Sequence, residues 1–274
     1  MSETLRHDGR RPDQKRAVSI ELGTMKFAEG SALIQVGDTR VLASASVEKR
    51  VPRFLEKSEQ GWLTAEYAML PRATHTRSQR EVSRGRPSGR TAEIQRLIGR
   101  SLRAVIDLKA IPGLTLTVDC DVLQADGGTR TASITAGYVA AVQALGRSLL
   151  AGDIARWPVL DSLAAISMGI VDGTPCLDLD YVEDSAAAVD MNLVATGSGS
   201  LVELQGTGEQ RSFERHELDS LLDLGMQGIT ELVAEQEAVL ADVLSDVRSL
   251  RDKGERRPAP PKDEASLWGE PDEV

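Results

Sequence analysis

Aromatic residues are scarce in this chain: three Trp, three Tyr and three Phe make up 3% of 274 residues. Ring stacking can therefore supply little of its hold on a ligand. Cysteine is rarer still. Cys120 and Cys176 lack metal-ligand spacing and cannot form a disulfide framework, so they fit a reducing cytoplasm as small core residues. The three histidines, His7, His75 and His216, are scattered. No Ser-His-Asp or Cys-His arrangement follows from them, and a covalent nucleophile is not implied. No apolar run approaches the ~18 residues of a membrane span, and Met1 to Arg16 is too charged for a secretory signal. There is no Gly-Lys-Ser/Thr ending and no G-x-G-x-x-G opening a helix, so neither of those nucleotide loops is expected.

The net charge of −10 argues against a polyanionic partner, but its distribution reverses that. Residues 1–110 carry 21 Lys/Arg against 13 Asp/Glu, a balance of +8, while residues 111–274 carry 11 against 29, a balance of −18. From Arg72 to Arg103 there are nine arginines (72, 77, 80, 84, 86, 90, 96, 100 and 103), two acids, Glu81 and Glu93, and no lysine. Guanidinium forks suit fixed phosphate contacts better than lysine point charges do. The alternative is a solvated face that pairs with the acidic half of the chain. Different arginines can serve each purpose.

Against that background the most informative stretch is Gly127-Gly128-Thr129-Arg130. It follows a strand-like run, Leu114 to Gln124, and precedes a helical pattern that starts near Thr131. Two glycines let the backbone turn tightly and approach a ligand. The free amides of the next helical turn, with the helix dipole, favour an anion. Thr129 adds a hydroxyl and Arg130 a fork that fits phosphate oxygens. The stretch reads equally as an ordinary glycine turn before a helix cap; in the first case its ligand is inorganic phosphate or a phosphoryl group.

The surrounding pattern is α+β. Val18 to Leu22, Ala32 to Val36 and Thr39 to Val47 read as strands punctuated by Gly23, Gly30 and Gly37. Arg72 to Ser88 has no apolar period and reads as a long polar loop, of the kind that is functional or disordered. A helix is expected from about Thr91 to Lys109, with Arg96, Arg100 and Arg103 on one face, and Arg90 just before its first turn. A second runs from about Thr131 to Leu150. Pro158 to Asp172, Cys176 to Glu183, Asp190 to Ala195 and Ser200 to Gln205 read as strands. Phe213 to about Leu250 is helical, broken or kinked at Gly225 and Gly228. No strict βαβ alternation and no repeat of 20–50 residues is visible. From Arg251 charge and proline take over, and 251–274 is expected to be a disordered tail on a single domain of residues 1–250.

Asp184 and Asp190 bracket the small apolar segment Ser185 to Val189. Two carboxylates that converge near a phosphate repel it unless a cation sits between them, and Mg²⁺ or Mn²⁺ is the usual solution. One of them can instead be a general acid of raised pKa; ordinary turn acids give the same spacing. Asp119, Asp121 and Asp126 form another acidic group, in which Asp126 can brace the glycine turn and the other two share a strand face.

Together these residues resemble the bacterial ribonuclease PH family of phosphorolytic 3′→5′ exoribonucleases. The resemblance spans about residues 5–245. It rests on Asp8-Gly-Arg-Arg11, Ala28-Glu-Gly-Ser31, Gly61 to Tyr67, Met69-Leu-Pro-Arg72, Gly89-Arg90, Glu93 to Arg100, Asp119 to Arg130, Tyr181-Val-Glu-Asp184 and Asp190-Met-Asn192. It implies a ribonuclease PH-type fold of two β-α lobes with helices packed on mixed sheets. It also implies a cytoplasmic homohexameric ring, a trimer of dimers, that trims the 3′ ends of tRNA precursors. Inorganic phosphate would be the co-substrate, nucleoside diphosphates the products, and 3′ nucleotide addition the reverse reaction. By the same resemblance Arg90, Gly128, Thr129 and Arg130 bind phosphate. Asp184 and Asp190 are the catalytic pair associated with Mg²⁺ or Mn²⁺. Arg72, Arg77 and Arg80 guide the tRNA acceptor stem. Inactive ring subunits of related type tend to lose part of the phosphate turn or the acidic pair, and this chain keeps both.

Overall fold

Alternation of small or β-branched residues with polar ones builds the first sheet of the computed structural model, which describes residues 5–254. Its strands are β1 (Val18–Leu22), β2 (Gly30–Val36), β3 (Thr39–Glu48), β4 (Trp62–Met69) and β5 (Thr115–Gln124), in the order β1-β2-β3-β5-β4. Val41, Ala43 and Ala45 of β3 and Leu116, Val118, Cys120 and Val122 of β5 turn inward, while their neighbours, Asp119 and Asp121 among them, turn outward. Gly37, at φ 55°, makes the two-residue turn that pairs Val36 with Thr39. β4 and β5 are parallel and joined through helix α1 (Gly89–Val105), so the chain does contain one βαβ crossover. The sequence hides it because Ala and Glu in β4 dilute the strand signal.

The second sheet, β6 (Leu163–Val171), β7 (Thr174–Leu177), β8 (Val189–Thr196) and β9 (Leu201–Gly208), is antiparallel in the order β7-β6-β8-β9. Helix α2 (Thr129–Ala151) lies between the sheets, against β2, β3 and β5 on one side and β6 on the other. Its length and composition would allow it to cross a membrane, but 78% of its most apolar window is buried inside the protein, and burial between two sheets accounts for that composition. Helix α4 (Arg215–Val239) covers the second sheet and α5 (Ala241–Gly254) packs on α2. The result is the α+β, two-lobed arrangement of helices on sheets that the sequence suggests.

Three local expectations fail. Cys176 to Glu183 is not one strand: β7 stops at Leu177, and helix α3 (Tyr181–Ala186) begins behind a capping box of Asp180 and Glu183. Gly225 and Gly228 do not break α4, which runs unbroken through both. A Cβ on Gly225 would lie 2.6 Å from Met168 Sδ and one on Gly228 2.5 Å from Ile166 Cδ1, so both are small to let the helix sit close on β6. The break comes instead at Leu240. The strand expected from Pro158 starts only at Leu163. α5 runs to Gly254, four residues into the segment expected to be a disordered tail; the remaining tail, 255–274 with Trp268, lies outside the described residues.

Candidate phosphate and carboxylate site

The glycine turn is built as a bare helix start. Gly127 and Gly128 adopt φ of 72° and 64°, and Gly128 caps α2 with no side-chain hydrogen bond to the first-turn amides. A 23-residue helix therefore presents its positive end to a cleft that Gly127, Gly128, Thr129 and Arg130 line. Thr129 is buried, and its hydroxyl oxygen accepts from Tyr67 Oη at 3.1 Å, which leaves its own hydrogen to donate. Arg130 donates through Nη1 to Gln205 Oε1 at 2.8 Å and lies 3.9 Å from Glu93 Oε2, so β9 and α1 both steady its fork. Arg90 stands in the first turn of α1 and lines the same cleft.

Asp184, on α3, and Asp190, second residue of β8, face these cations from the other lobe. Desolvation raises the Asp184 carboxyl above its ordinary range, against the pull of Arg90 and Arg130. Asp190 goes further, to about 6, through desolvation first and the charge of Asp184 second. Glu209 adds a third negative charge near both. The donor set is oxygen only, and the pair repels itself. That chemistry fits a hard divalent cation held by Asp184 and Asp190. Among the described residues the ligand atoms of three His, Cys, Asp or Glu side chains converge within 4.8 Å only at His7, Asp180 and Glu183, and that trio is already engaged. Arg6 forks onto Glu183, and Arg10 reaches Glu183 at 3.3 Å and Asp180 at 3.7 Å.

Two residues behind this site, Arg16 and Asp178, carry no signal in the sequence, because they are partners 162 residues apart in the chain. Arg16 is buried and donates to both oxygens of buried Asp178, from Nε at 3.0 Å and Nη2 at 2.7 Å, and through Nη1 to the carbonyl of Asp126. Burial pushes the Asp178 carboxyl up, and Arg16 more than reverses that, holding it low. Asp126 Oδ1 in turn accepts from Tyr181 N at 3.3 Å, so it does brace the turn, as its position suggests. A Cβ on Gly127 would lie 2.5 Å from Leu179 O, which makes glycine obligatory for close contact between the lobes as well as for φ. Asn192, two residues past Asp190 on β8, completes the wall. Arg16→Met is expected to cost about 3–5 kcal/mol in urea unfolding, because it strands Asp178, and the double change with Asp178→Leu should recover much of that loss.

All six residues expected to handle phosphate and catalysis, Arg90, Gly128, Thr129, Arg130, Asp184 and Asp190, thus line one cleft. Arg72, Arg77 and Arg80 do not. They are exposed on the loop after β4, whose Thr74, His75 and Thr76 reach the cleft instead. Arg100 and Arg103 take the structural role: Arg100 forks onto Glu203 at 2.7 and 2.8 Å, and Arg103 donates to Leu63 O at 2.9 Å over the Trp62 ring.

Comparison with known proteins supplies the family. Residues 14–145 match the model of the 3′ exoribonuclease family, domain 1, and residues 161–228 match domain 2. The chain belongs to the 3′ exoribonuclease family of ribonuclease PH type. The two matched domains correspond to the two sheets, with α2 between them. Among solved structures, Rrp46 of rice (Oryza sativa) superposes with a TM-score of 0.71 at 23% identity over 86% of this chain and 100% of that one. A chain of the Archaeoglobus fulgidus exosome with RNA bound to the active site gives 0.71 at 24% identity, over 85% and 92%. A chain of an archaeal exosome core gives 0.66 at 22%, over 86% and 91%. At these identities the likeness is one of fold.

Proposed function

We propose that this member of the family is a phosphorolytic 3′→5′ exoribonuclease of the bacterial ribonuclease PH kind. The observation that carries the reading is the uncapped start of α2, set with Arg130 and Arg90 opposite the Asp184–Asp190 pair in one cleft. A hydrolytic nuclease would use the acids but have no need of the phosphate turn.

Orthophosphate docks on the amides of the turn and on the forks of Arg90 and Arg130, which offset its charge against the RNA backbone. One of its oxygens attacks the phosphorus of the last phosphodiester. The bond to O3′ of the penultimate nucleotide breaks, leaving a nucleoside 5′-diphosphate and an RNA one residue shorter with a 3′ hydroxyl. That oxygen needs a proton, and Asp190, with its carboxyl near 6, is suited to give it. Where Asp190 is instead ionised and shares a divalent ion with Asp184, that ion would stabilise the charge on the leaving oxygen in place of the proton. One phosphate ester is exchanged for another, so positioning does most of the work and no covalent intermediate forms.

The exposed Arg72, Arg77 and Arg80 make the loop after β4 the entry for a structured RNA, with tRNA precursors as the proposed substrates. A homohexameric ring is the proposed assembly. Incubation of RNA with Mg²⁺, with and without phosphate, followed by chromatography, tests the reaction. Nucleoside diphosphates that appear only with phosphate are expected; monophosphates formed in both samples would refute it.

A further inference from the structure

The cleft holds more than a phosphate ion can use. Its volume of about 530 Å³ lies within the roughly 300–1,000 Å³ of small-molecule sites. Its lining also differs in kind from the charged set already described. Met69, His75 and Tyr181 offer it apolar and ring surface. Among the described Trp, Tyr and Phe residues, Tyr181 alone lines the cleft. It remains 50% exposed, and its ring stands 5.9 Å from that of His75 at a 55° tilt. In a chain so poor in aromatics, the one ring left open at the chemistry invites a flat ligand.

The backbone fixes that ring against both halves of the site. Tyr181 opens α3 and Asp184 follows three residues later, so the two side chains share a helix face. Tyr181 N donates to Asp126 Oδ1 at 3.3 Å, which ties the ring to the phosphate turn too. A ring so placed meets whatever lies beside the scissile phosphodiester. Ribose and phosphates are served by the arginines, the amides and Asn192; a nucleobase is the part of an RNA end that stacks on Tyr. On the phosphorolytic reading the nucleotide that leaves from the attacked phosphodiester is the 3′-terminal one, so its base is the one set beside the phosphate turn.

We propose that Tyr181, with His75 and Met69, forms the subsite for the nucleobase of the RNA's 3′-terminal nucleotide. This rests on the phosphorolytic reading above. Stacking accepts any base, so the subsite positions the terminal nucleotide without selecting its identity.

The test is a cycle between protein and substrate at saturating phosphate. One RNA ends in an ordinary nucleotide and a second ends in an abasic ribose, and each is given to wild type, Tyr181→Phe and Tyr181→Leu. Removing the terminal base should cost wild type and Tyr181→Phe about tenfold in kcat/KM for RNA. Tyr181→Leu should lose the same factor on the intact RNA and then be indifferent to the base, with the KM for phosphate unchanged throughout. A Tyr181→Leu enzyme that still loses tenfold on base removal overturns the subsite. If wild type releases no diphosphate, the reaction reading fails instead, and the same cycle run on RNA dissociation constants decides the subsite separately.

Discussion

Replacing Arg130 with alanine should raise the phosphate concentration needed for half-maximal turnover by about 100-fold, with RNA affinity changed by less than about threefold. A charge-assisted hydrogen bond lost from a partly enclosed site costs about 1.5–3 kcal/mol, and the second arm of the fork adds to that. The asymmetry follows from position. Arg130 stands in the first turn of α2, above amides that no side chain caps, whereas the arginines offered to RNA lie on the loop after β4. Its loss should leave the fold intact, because Glu93 keeps solvent contact and its hydrogen bond from Gln205 Nε2 at 2.9 Å. Initial rates over a phosphate series, beside RNA binding measured without phosphate, check both halves. Equal loss of the two would contradict the assignment.

Asp190→Asn should make the enzyme about a thousandfold slower and also more stable. The first effect is the loss of a proton donor, which is worth about 10²–10⁴ in rate. The second follows from linkage. The folded chain binds the Asp190 proton with a pKa of about 6, and the unfolded chain with one near ~3.9. Below about pH 4 both states are protonated and the carboxyl costs nothing. As pH rises from about 4 to 6 the unfolded chain releases the proton first, and folding stability falls. Above about 6 the penalty is complete, about 2 kcal/mol after discounting for incomplete burial. Asparagine carries no such charge, so the variant should melt at the wild-type temperature at pH 4 and several degrees higher at pH 7, in the presence of a chelator. Added Mg²⁺ should narrow that gap by stabilising the wild type alone. Calorimetric scans across pH read this directly; a variant less stable than wild type at pH 7 in chelator would show that Asp190 is not held in a desolvated, repulsive place.

The fold was legible where local chemistry decides it, and less so where contacts across the chain do. β1 to β3, the long polar loop, α1 and α2 follow from alternation, glycine punctuation and helical period. β4 escapes because Ala65, Glu66 and Ala68 are poor strand formers; its place depends on packing against α1 and on its parallel pairing with β5. α3 reads as strand because its six residues are too few to show a period, and only the Asp180–Glu183 capping box marks its start. Gly225 and Gly228 mislead because the sequence cannot distinguish a glycine that ends a helix from one that lets it pack close.

The candidate site was legible in its types of residue and not in its bracing. Glycines, arginines and paired acids announce phosphate chemistry through their own functional groups. Arg16 and Asp178 look like any surface ion pair until the fold buries them together, 162 residues apart in the chain. The phosphate turn belongs to one lobe and the acids to the other. Arg16, Asp126 and the contact of Gly127 with Leu179 hold the two in register.

The central claim is that a free orthophosphate ion is the attacking group, and an isotope label tests it most directly. RNA is digested in one reaction with ³²P-orthophosphate and in another with ¹⁸O-water. The account predicts ³²P in the β position of every released nucleotide and no water-derived oxygen on its phosphorus. Nucleotides free of ³²P and carrying ¹⁸O from water would contradict it.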